Sequence, residues 1–302
     1  MRLAEIAALA RENGWQAAEN APLAALTTFR IGGPADLLVT VPDGRGAAAL
    51  LVACRTADVP TLLVGNGSNL LVGDGGVRGV VWRFDPKTAD IAADGADITC
   101  GAGVPLTRLC TFAKDLALTG LEFAFGIPGT AGGAAFMNAG AYGGEMAQGL
   151  TAAEVLEADG TLRTVDAKAL SLGYRKSALM ESGGVVTALH LRLKAGDREQ
   201  IAATMQELIA RRREKQPLQF PSAGSFFKRP AGHFAGALIE RCGLKGFSVG
   251  GAAVSEKHAG FVVNTGNATA ADVRSLSDAV IERVREKTGV TLVPEVRFVG
   301  EF

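Results

Sequence analysis

The stretch Gly126–Met146, GIPGTAGGAAFMNAGAYGGEM, is the most informative part of the sequence. Seven of its residues are glycine, and alanine or threonine fills most of the positions between them. This glycine segment has few large side chains to bury, but its backbone can approach another group closely, with amide N–H groups pointing at it. Pro128 and the glycines exclude one uninterrupted stable helix. Two interpretations stay open: a binding site for a phosphate-bearing ligand, or a tight crossing of two backbones.

Composition narrows the class of protein. A chain of 302 residues is long enough for two or three domains. Its 31 basic and 31 acidic residues give zero net charge, which indicates neither a nucleic-acid partner nor a polyanion-like character. A hydrophobic fraction of 48% argues against disorder. Glycine occurs 39 times, well above the average of about 7%, so many turns and close backbone approaches are expected.

The cysteines and the N-terminus indicate a soluble, cytoplasmic protein. The four cysteines form no CxxC pair, so buried thiols in a reducing compartment are expected rather than disulfides or a metal site; they are Cys54, Cys100, Cys110 and Cys242. Glu5 and Arg11 interrupt the first apolar residues too early for a signal peptide. No run approaches the 18 apolar residues of a membrane span.

Hydrophobic periodicity and turn residues predict a mixture of helices and strands. The predicted helices cover 3–12, 44–56 with Asp43 as N-cap, 105–118, 197–214, 233–242 and 270–287. The predicted strands cover 35–41, 61–64 (buried), 89–92, 96–100, a hairpin about Asp159-Gly160, 184–193, 290–293 and 296–299. The proline-rich and glycine-rich stretch 216–230 is expected to be a fixed, non-helical loop.

No Rossmann fingerprint is present. Gly65-Asn-Gly67 is followed by Leu70, and Gly101-Ala-Gly103 by Leu106, where a third glycine would be needed. A dinucleotide, if one is bound, is therefore held on another fold.

Two side chains have alternative interpretations that the residues alone leave open. Ser225 in AGSFF is a candidate proton donor in a water-poor pocket, or a serine bonded to its own turn. No GxSxG elbow or triad-like histidine supports a serine nucleophile. Glu295, between Pro294 and apolar Val296, is a candidate for a carboxyl with a raised pKa that stays protonated and donates a hydrogen bond. Its alternative is a buried carboxylate paired with Arg297.

Three cationic or titratable side chains are candidate ligand contacts. The guanidinium of Arg175 suits a carboxylate or phosphate. For Lys215 and His258, contact with a ligand and exposure on the surface are equally open interpretations. The residues alone therefore indicate a phosphate-ligand protein of three units, and they do not indicate a flavin.

Six segments, in this order, resemble the UDP-N-acetylenolpyruvoylglucosamine reductase (UDP-N-acetylmuramate dehydrogenase) family. They are TTFRIGGPA at 27–35, GNGSNLLV at 65–72, the glycine segment, GYRKS at 173–177, PSAGSFFKRP at 221–230 and PEVRF at 294–298. The similarity runs from about Leu23 to Phe302.

The resemblance implies an α+β protein with the FAD-binding fold of the vanillyl-alcohol oxidase type and a C-terminal α+β substrate domain. The implied domains are 1–82, to which 296–302 returns, 83–212 and 213–295. It also implies a cytoplasmic, monomeric flavoenzyme of peptidoglycan synthesis, with no nucleic-acid partner and no membrane insertion. FAD is bound non-covalently, NADPH is the hydride donor, and the enolpyruvyl ether of UDP-N-acetylglucosamine is the substrate.

The resemblance also implies roles for individual residues. Arg175 and Glu295 match the residues that stabilise the charge formed on hydride addition, and Ser225 matches the proton donor. The cofactor-binding positions are Arg30, Ile31, Gly32, Gly33, Gly65, Asn66, Gly67, Ser68, Asn69, Gly126, Pro128, Gly129, Thr130, Gly132, Gly133, Asn138, Gly140 and Ala141. The substrate-binding positions are Tyr174, Lys215, Arg229 and His258.

The sequence departs from the family pattern at three places. Thr27 stands where many members have Asn, and Arg229 stands where the longer members have Asn. No segment matches the tyrosine-bearing loop of the longer members, so the chain resembles the short subtype.

A flavin oxidase of the same superfamily is the alternative activity, against which PSAGSFF and PEVRF argue. A non-catalytic nucleotide-sugar sensor would be expected to lack Ser225 or Glu295.

Overall fold

A computed structural model describes residues 2–302, and both helices and strands occur throughout this range. The helices are α1 Arg2–Glu12, α2 Gly44–Thr56, α3 Leu106–Asp115, α4 Ala131–Phe136, α5 Leu179–Ser182, α6 Arg198–Lys215, α7 Ala235–Arg241 and α8 Ala270–Thr288, with 3-10 turns at Leu23–Leu26, Glu122–Ala124 and Met146–Gln148. The strands are β1 Gln16–Pro22, β2 Pro34–Val41, β3 Thr61–Leu63, β4 Leu70–Val72, β5 Val77–Phe84, β6 Ile91–Asp94, β7 Asp97–Gly101, β8 Leu118–Thr119, β9 Gly140–Ala141, β10 Gly144–Glu145, β11 Leu150–Leu156, β12 Leu162–Asp166, β13 Val185–Arg192, β14 Lys194–Ala195, β15 Ser222–Ser225, β16 Ser248–Val249, β17 Ala252–Val254, β18 Phe261–Asn264 and β19 Arg297–Val299.

The chain divides into two compact units. The first unit contains the residues up to Ala18, Leu37–Asn66 and Val80–Arg211. The second unit contains Glu19–Asp36, Gly67–Gly79 and Arg212–Phe302. Strands β1, β2, β5 and β3 form a four-stranded sheet in the order β1-β2-β5-β3.

The first unit is built on a five-stranded antiparallel sheet in the order β12-β11-β13-β7-β6. The predicted hairpin about Asp159-Gly160 is confirmed, since β11 and β12 pair from Leu156↔Leu162 onward. Helix α4 packs against β13, whose Leu189 and Leu191 are buried in the core. The glycine segment is therefore fixed by the core of this unit.

The second unit is built on a four-stranded antiparallel sheet in the order β15-β18-β17-β16, covered by α8. Helix α8 buries Val273, Leu276, Val280 and Val284, which recur at helical spacing. The C-terminal strand β19 pairs in parallel with β4. This pairing brings residues near the end of the chain beside the segment that follows residue 67.

Several predicted elements differ in the structure. Residues 290–293 form no strand, and Val293 is 52% exposed; Pro294, which cannot donate to a ladder, makes only an isolated bridge with Phe227. The strand predicted as buried at 61–64 is the edge strand β3, in which Thr61 is exposed. The loop predicted over 216–230 contains β15.

The boundaries of the third helix also differ from the prediction. Pro105 is the N-cap rather than part of the first turn, and α3 ends at Asp115, because Ala117 has a φ of 55°. The predicted helices at 44–56 and 270–287 are confirmed, and Asp43 accepts the Gly46 N–H at 2.9 Å as the predicted N-cap.

All four cysteines are buried and free, as the sequence predicts. Burial raises the pKa of Cys54 to about 11 and the pKa values of Cys100 and Cys110 to about 12. A thiol is the unreactive form of cysteine, so these three side chains act as small apolar core residues.

Candidate active site

The glycine segment forms a short helix followed by a tight hairpin. Thr130 caps α4, and its Oγ1 accepts the Gly133 N–H at 3.3 Å. Strands β9 and β10 are joined by Tyr142 and Gly143, whose φ values of 53° and 87° are those of a two-residue turn with positive φ at both central positions. As predicted, no single helix runs through the segment.

The glycines of the segment serve two different purposes. A methyl group added at Gly132 would lie 2.6 Å from Cβ of Ala102, so this glycine is required by a close crossing inside the first unit. By contrast, Gly133 is exposed, and the nearest atom to an added methyl group is Thr130 Oγ1 at 3.4 Å. The close backbone crossing is confirmed at Gly132, and the open position at Gly133 leaves room for a ligand.

The segment 65–69 presents a run of backbone donors. Within the described part of the chain, none of the backbone N–H groups of residues 65–69 donates a hydrogen bond. In the first unit, Asn66 Nδ2 donates to the Pro128 carbonyl at 2.8 Å and ties this segment to the glycine segment. Successive backbone N–H groups that make no bond within the protein are typical of anion-binding segments.

In the second unit, the turn at 27–33 is held by its own hydrogen bonds. Thr27 donates its hydroxyl to the Ile31 carbonyl at 3.2 Å. Gly32 has a φ of 144°, and a methyl group there would lie 2.7 Å from Cβ of Val72. Gly32 is therefore required by packing, whereas Arg30, with a φ of 56°, is exposed.

Arg175 lies in a two-residue turn of the first unit. Gly173 and Lys176 exchange backbone hydrogen bonds of 3.0 and 3.2 Å, so Tyr174 and Arg175 occupy the two positions between them. Arg175 has a φ of 52°, its Nη2 donates to the Gly140 carbonyl at 3.2 Å, and its guanidinium lies 5.3 Å from the Tyr174 ring centroid. The side chain is half-buried, and that of Tyr174 is exposed.

The side chain of Asn138 is hydrogen-bonded to this turn. Its Nδ2 donates to the Gly173 carbonyl at 3.1 Å, and its Oδ1 accepts the Ala147 N–H at 2.9 Å. The residue is 1% exposed. Both ends of the side-chain amide are therefore used by the backbone of the first unit.

Ser225 and Glu295 lie on adjoining segments of the second unit. Strand β15 pairs with β18 through an irregularity between Ser222 and Ser225, at Gly224, whose φ is 77°. Bulges of this kind re-aim side chains beside functional sites. Immediately after Ser225, the buried Phe226 accepts the Glu295 N–H on its carbonyl at 2.8 Å.

Ser225 and Glu295 differ in their exposure to solvent. Ser225 is exposed in the structure, so the chain does not supply the water-poor pocket expected from the sequence. Glu295 is half-buried. Asn69 Nδ2 donates to the Glu295 carbonyl at 3.2 Å, and the Asn69 carbonyl accepts the Arg297 N–H at 3.0 Å.

The remaining candidate substrate residues also belong to the second unit. Lys215 is the exposed last residue of α6, and the Arg229 guanidinium lies 4.6 Å from the centroid of the exposed Phe234 ring. His258 is half-buried, and its Nδ1 accepts the Gly260 N–H at 3.0 Å. Burial lowers the pKa of His258, with a further contribution from the charge of Lys245. A neutral His258 therefore carries its proton on Nε2.

The sequence alone does not indicate that the side chains of Asn69 and Asn138 hold other parts of the backbone. Their partners Glu295 and Gly173 are 226 and 35 residues away in the sequence. A sequence motif of adjacent residues does not show which distant residues its side chains will bond. A weaker signal was present, because asparagine is the non-glycine residue that most readily takes a positive φ, and Asn138 has a φ of 42°.

Metal sites and membrane spans are two further classes of feature. No group of three or more His, Cys, Asp or Glu side chains within residues 2–302 is arranged to hold a metal ion. None of the helices between Arg2 and Phe302 combines the length and the hydropathy that a membrane span needs.

Comparison with known proteins covers nearly the whole chain. Residues 35–166 match the FAD binding domain, and residues 216–299 match the C-terminal domain of UDP-N-acetylenolpyruvoylglucosamine reductase. The reductase of Clostridium botulinum (strain Hall) is 48% identical over 280 residues, which are 93% of this chain and 91% of the relative. The reductase of Agathobacter rectalis is 49% identical over 296 residues, with 94% of each chain covered.

A solved structure agrees with these matches. The crystal structure of the UDP-N-acetylenolpyruvylglucosamine reductase from Thermus caldophilus superposes with a TM-score of 0.79 at 39% identity, covering 94% of this chain and 98% of that chain. The predicted α+β class with an FAD-binding fold is confirmed.

Proposed function

The chain belongs to the UDP-N-acetylenolpyruvoylglucosamine reductase family, and from this we propose how its own residues carry out the reaction of that family. The protein is an FAD-dependent oxidoreductase of peptidoglycan precursor synthesis. It reduces the enolpyruvyl ether of UDP-N-acetylglucosamine to UDP-N-acetylmuramate, with NADPH as the reductant. The alternative of a flavin oxidase is not favoured.

Within the first unit, the backbone donors of Gly65 and Asn66 and the open position at Gly133 fit the pyrophosphate of FAD. The proposed cofactor-binding residues of the first unit are Gly65, Asn66, Gly126, Pro128, Gly129, Thr130, Gly132, Gly133, Gly140 and Ala141; those of the second are Arg30, Ile31, Gly32, Gly33, Gly67 and Ser68. Asn138 of the first unit and Asn69 of the second belong to the same proposal through their backbones, since their side-chain amides bond within the protein. When bound and reduced, FAD supplies the hydride that adds to the methylene carbon of the enolpyruvyl group.

Three side chains complete the reduction. Hydride addition leaves an electron pair on the carbon that carries the ether oxygen, delocalised into the neighbouring carboxylate. Arg175 and Glu295 are the residues assigned to stabilise this charge, Arg175 through the N–H donors of its guanidinium. Ser225 donates its hydroxyl proton to the same carbon, so that one hydride and one proton are added in total.

One observation carries this assignment in particular. The Glu295 N–H donates to the carbonyl of Phe226, the residue next to Ser225, at 2.8 Å. The segments that bear the proposed proton donor and the proposed charge-stabilising carboxyl are therefore joined directly, although they are 70 residues apart in the sequence (295 minus 225). The exposure of Ser225 leaves its hydroxyl accessible to a ligand.

The nucleotide-sugar is proposed to contact Tyr174, Lys215, Arg229 and His258. Since the pKa of His258 is lowered by burial, this residue is neutral at pH 7 and acts through Nε2–H as a hydrogen-bond donor rather than as a cation. Lys215 and Arg229 are exposed cations and suit the diphosphate.

We further propose that the protein acts in the cytoplasm as a monomer, without nucleic-acid partners, and supports cell shape and division through peptidoglycan synthesis. The three functional domains 1–82, 83–212 and 213–295 belong to the same proposal.

A Ser225→Ala variant tests the proton donor. We expect it to fold and bind FAD, and to turn over more slowly by roughly 10²–10⁴. Formation of product is followed by mass spectrometry, because reduction adds two hydrogens to the substrate. A variant that forms product at the wild-type rate would remove Ser225 from the mechanism.

A further inference from the structure

Two asparagines of the cofactor motifs use their side chains within the protein. Asn138 and Asn69 belong to segments assigned to FAD, yet each donates its side-chain amide to the backbone beside a residue of the proposed chemistry. Each bond lies within one unit, the first for Asn138 and the second for Asn69.

Asn138 holds the turn that carries Arg175. The carbonyl of Gly173 accepts both Asn138 Nδ2 and the Lys176 N–H, so the amide fixes the turn at its closing residue. A non-glycine residue at positive φ is strained, and Arg175 has a φ of 52°. Such a conformation persists only where the surrounding structure imposes it, and the buried Asn138 supplies that restraint.

Asn69 holds the backbone that follows the Glu295 side chain. Its Nδ2 donates to the Glu295 carbonyl, and its own carbonyl accepts the Arg297 N–H. On the other side of the side chain, the Glu295 N–H donates to the Phe226 carbonyl, so three hydrogen bonds fix the segment 295–297. Asn69 is also the last residue of the 65–69 run of backbone donors.

We infer that Asn138 and Asn69 are positioning residues, Asn138 for Arg175 and Asn69 for Glu295, and that their side chains do not bind the cofactor. This inference rests on the proposed roles of Arg175 and Glu295. It implies that the two amides affect reduction of the enolpyruvyl substrate while leaving FAD binding and reduction by NADPH unchanged.

The variants Asn138→Asp and Asn69→Asp test the inference, because the replacement keeps the size of the side chain and removes its donor. At position 138 the new side chain still accepts the Ala147 N–H, while the bond to Gly173 is replaced by repulsion between a carboxylate oxygen and the Gly173 carbonyl. We expect unchanged FAD content and unchanged bleaching by NADPH. Reoxidation by the enolpyruvyl substrate slows by about 10- to 100-fold, the effect of a small misplacement of reacting groups.

Double variants separate positioning from an independent effect. Adding Asn138→Asp to Arg175→Ala, or Asn69→Asp to Glu295→Gln, should change the reoxidation rate by less than about 2-fold, because each asparagine acts only through its partner. If a double variant slowed reoxidation by the product of the two single-variant effects, the inference would be contradicted. A loss of FAD binding in the single variants would instead assign the side chains to the cofactor.

A second readout needs neither cofactor nor turnover. Amide hydrogen exchange at Lys176 should accelerate in Asn138→Asp, and exchange at Glu295 and Arg297 in Asn69→Asp; unchanged exchange would overturn the inference. Asn13→Asp is the matched control, since the exposed Asn13 donates to the Leu9 carbonyl at 2.9 Å at the end of α1. If the substrate did not reoxidise the reduced flavin of the wild-type protein, the proposed function would be refuted. Amide hydrogen exchange would still decide whether Asn138 and Asn69 are positioning residues.

Discussion

Residues with strained backbones coincide with the motifs of the site. Of the non-glycine residues with positive φ, four lie in the segments that resemble the family: Arg30, Asn138, Tyr142 and Arg175. Each such conformation costs on the order of 1–3 kcal/mol and must be maintained by its surroundings. For Asn138 and Arg175 the surroundings are visible, as hydrogen bonds to Gly173 and Gly140. The cost is consistent with selection for the position of a side chain rather than for stability.

At the same scale, two adjacent glycines separate packing from ligand binding. Gly132→Ala should lower the free energy of unfolding by about 1–3 kcal/mol, because the new methyl group overlaps Ala102. Gly133→Ala should leave stability unchanged or raise it by up to about 1 kcal/mol, because alanine favours a helix, and should weaken FAD binding. Urea unfolding of the apoprotein and a fluorescence titration with FAD measure the two effects. Equal loss of stability in both variants would contradict this division.

Among the elements, α8 shows the clearest link from sequence to stability. Thr269 and Asp272 form a reciprocal capping box, and Gly289 ends the helix with a φ of 73°. The carboxylate of Asp74 accepts the N–H groups of Ala270 and Ala271 at 2.8 and 3.0 Å. The first turn of α8 is thereby held by the local pair Thr269 and Asp272 and by the distant Asp74. Only the local pair can be recognised in the sequence.

The capping box makes the stability of α8 depend on pH. Hydrogen bonds from the Thr269 and Gly251 N–H groups lower the pKa of Asp272. Its stabilising effect is therefore complete above the usual carboxyl pKa of about 3.9 and is lost as pH falls through the lowered value. Asp272→Ala should cost about 1 kcal/mol at pH 7, with a smaller difference at pH 3.

Urea unfolding at the two pH values measures this difference. The control is Asp278→Ala, an exposed position inside the same helix, for which we expect a change within about 0.5 kcal/mol at either pH. The same loss for Asp272→Ala at both pH values would show that its charge does not stabilise the helix.

For the whole molecule, the sequence predicts elements and motifs better than their arrangement. Helix α2 with its cap and helix α8 follow from local signals, and so does the hairpin about Asp159-Gly160. The two compact units do not, because each is assembled from three separate stretches of chain. The residues 290–293 have the apolar character of a strand but lack a partner ladder. Pairing is a tertiary property that β propensity does not determine.

The same limit applies to the candidate site. Motif similarity selected Ser225, Arg175 and Glu295 individually, and the structure then placed Ser225 and Glu295 on joined segments of one unit. It also gave Asn69 and Asn138 contacts that no spacing rule could have predicted. Hydrogen bonds between residues far apart in the sequence have to be read from coordinates.

The central claim is that the protein takes electrons from NADPH through FAD to the enolpyruvyl ether of UDP-N-acetylglucosamine. The most direct test is the visible spectrum of the purified protein under anaerobic conditions, recorded during addition of NADPH and then of that substrate. We predict a yellow protein that bleaches with NADPH and regains its colour with the substrate. Colour that returns only when air is admitted would contradict the claim and indicate an oxidase.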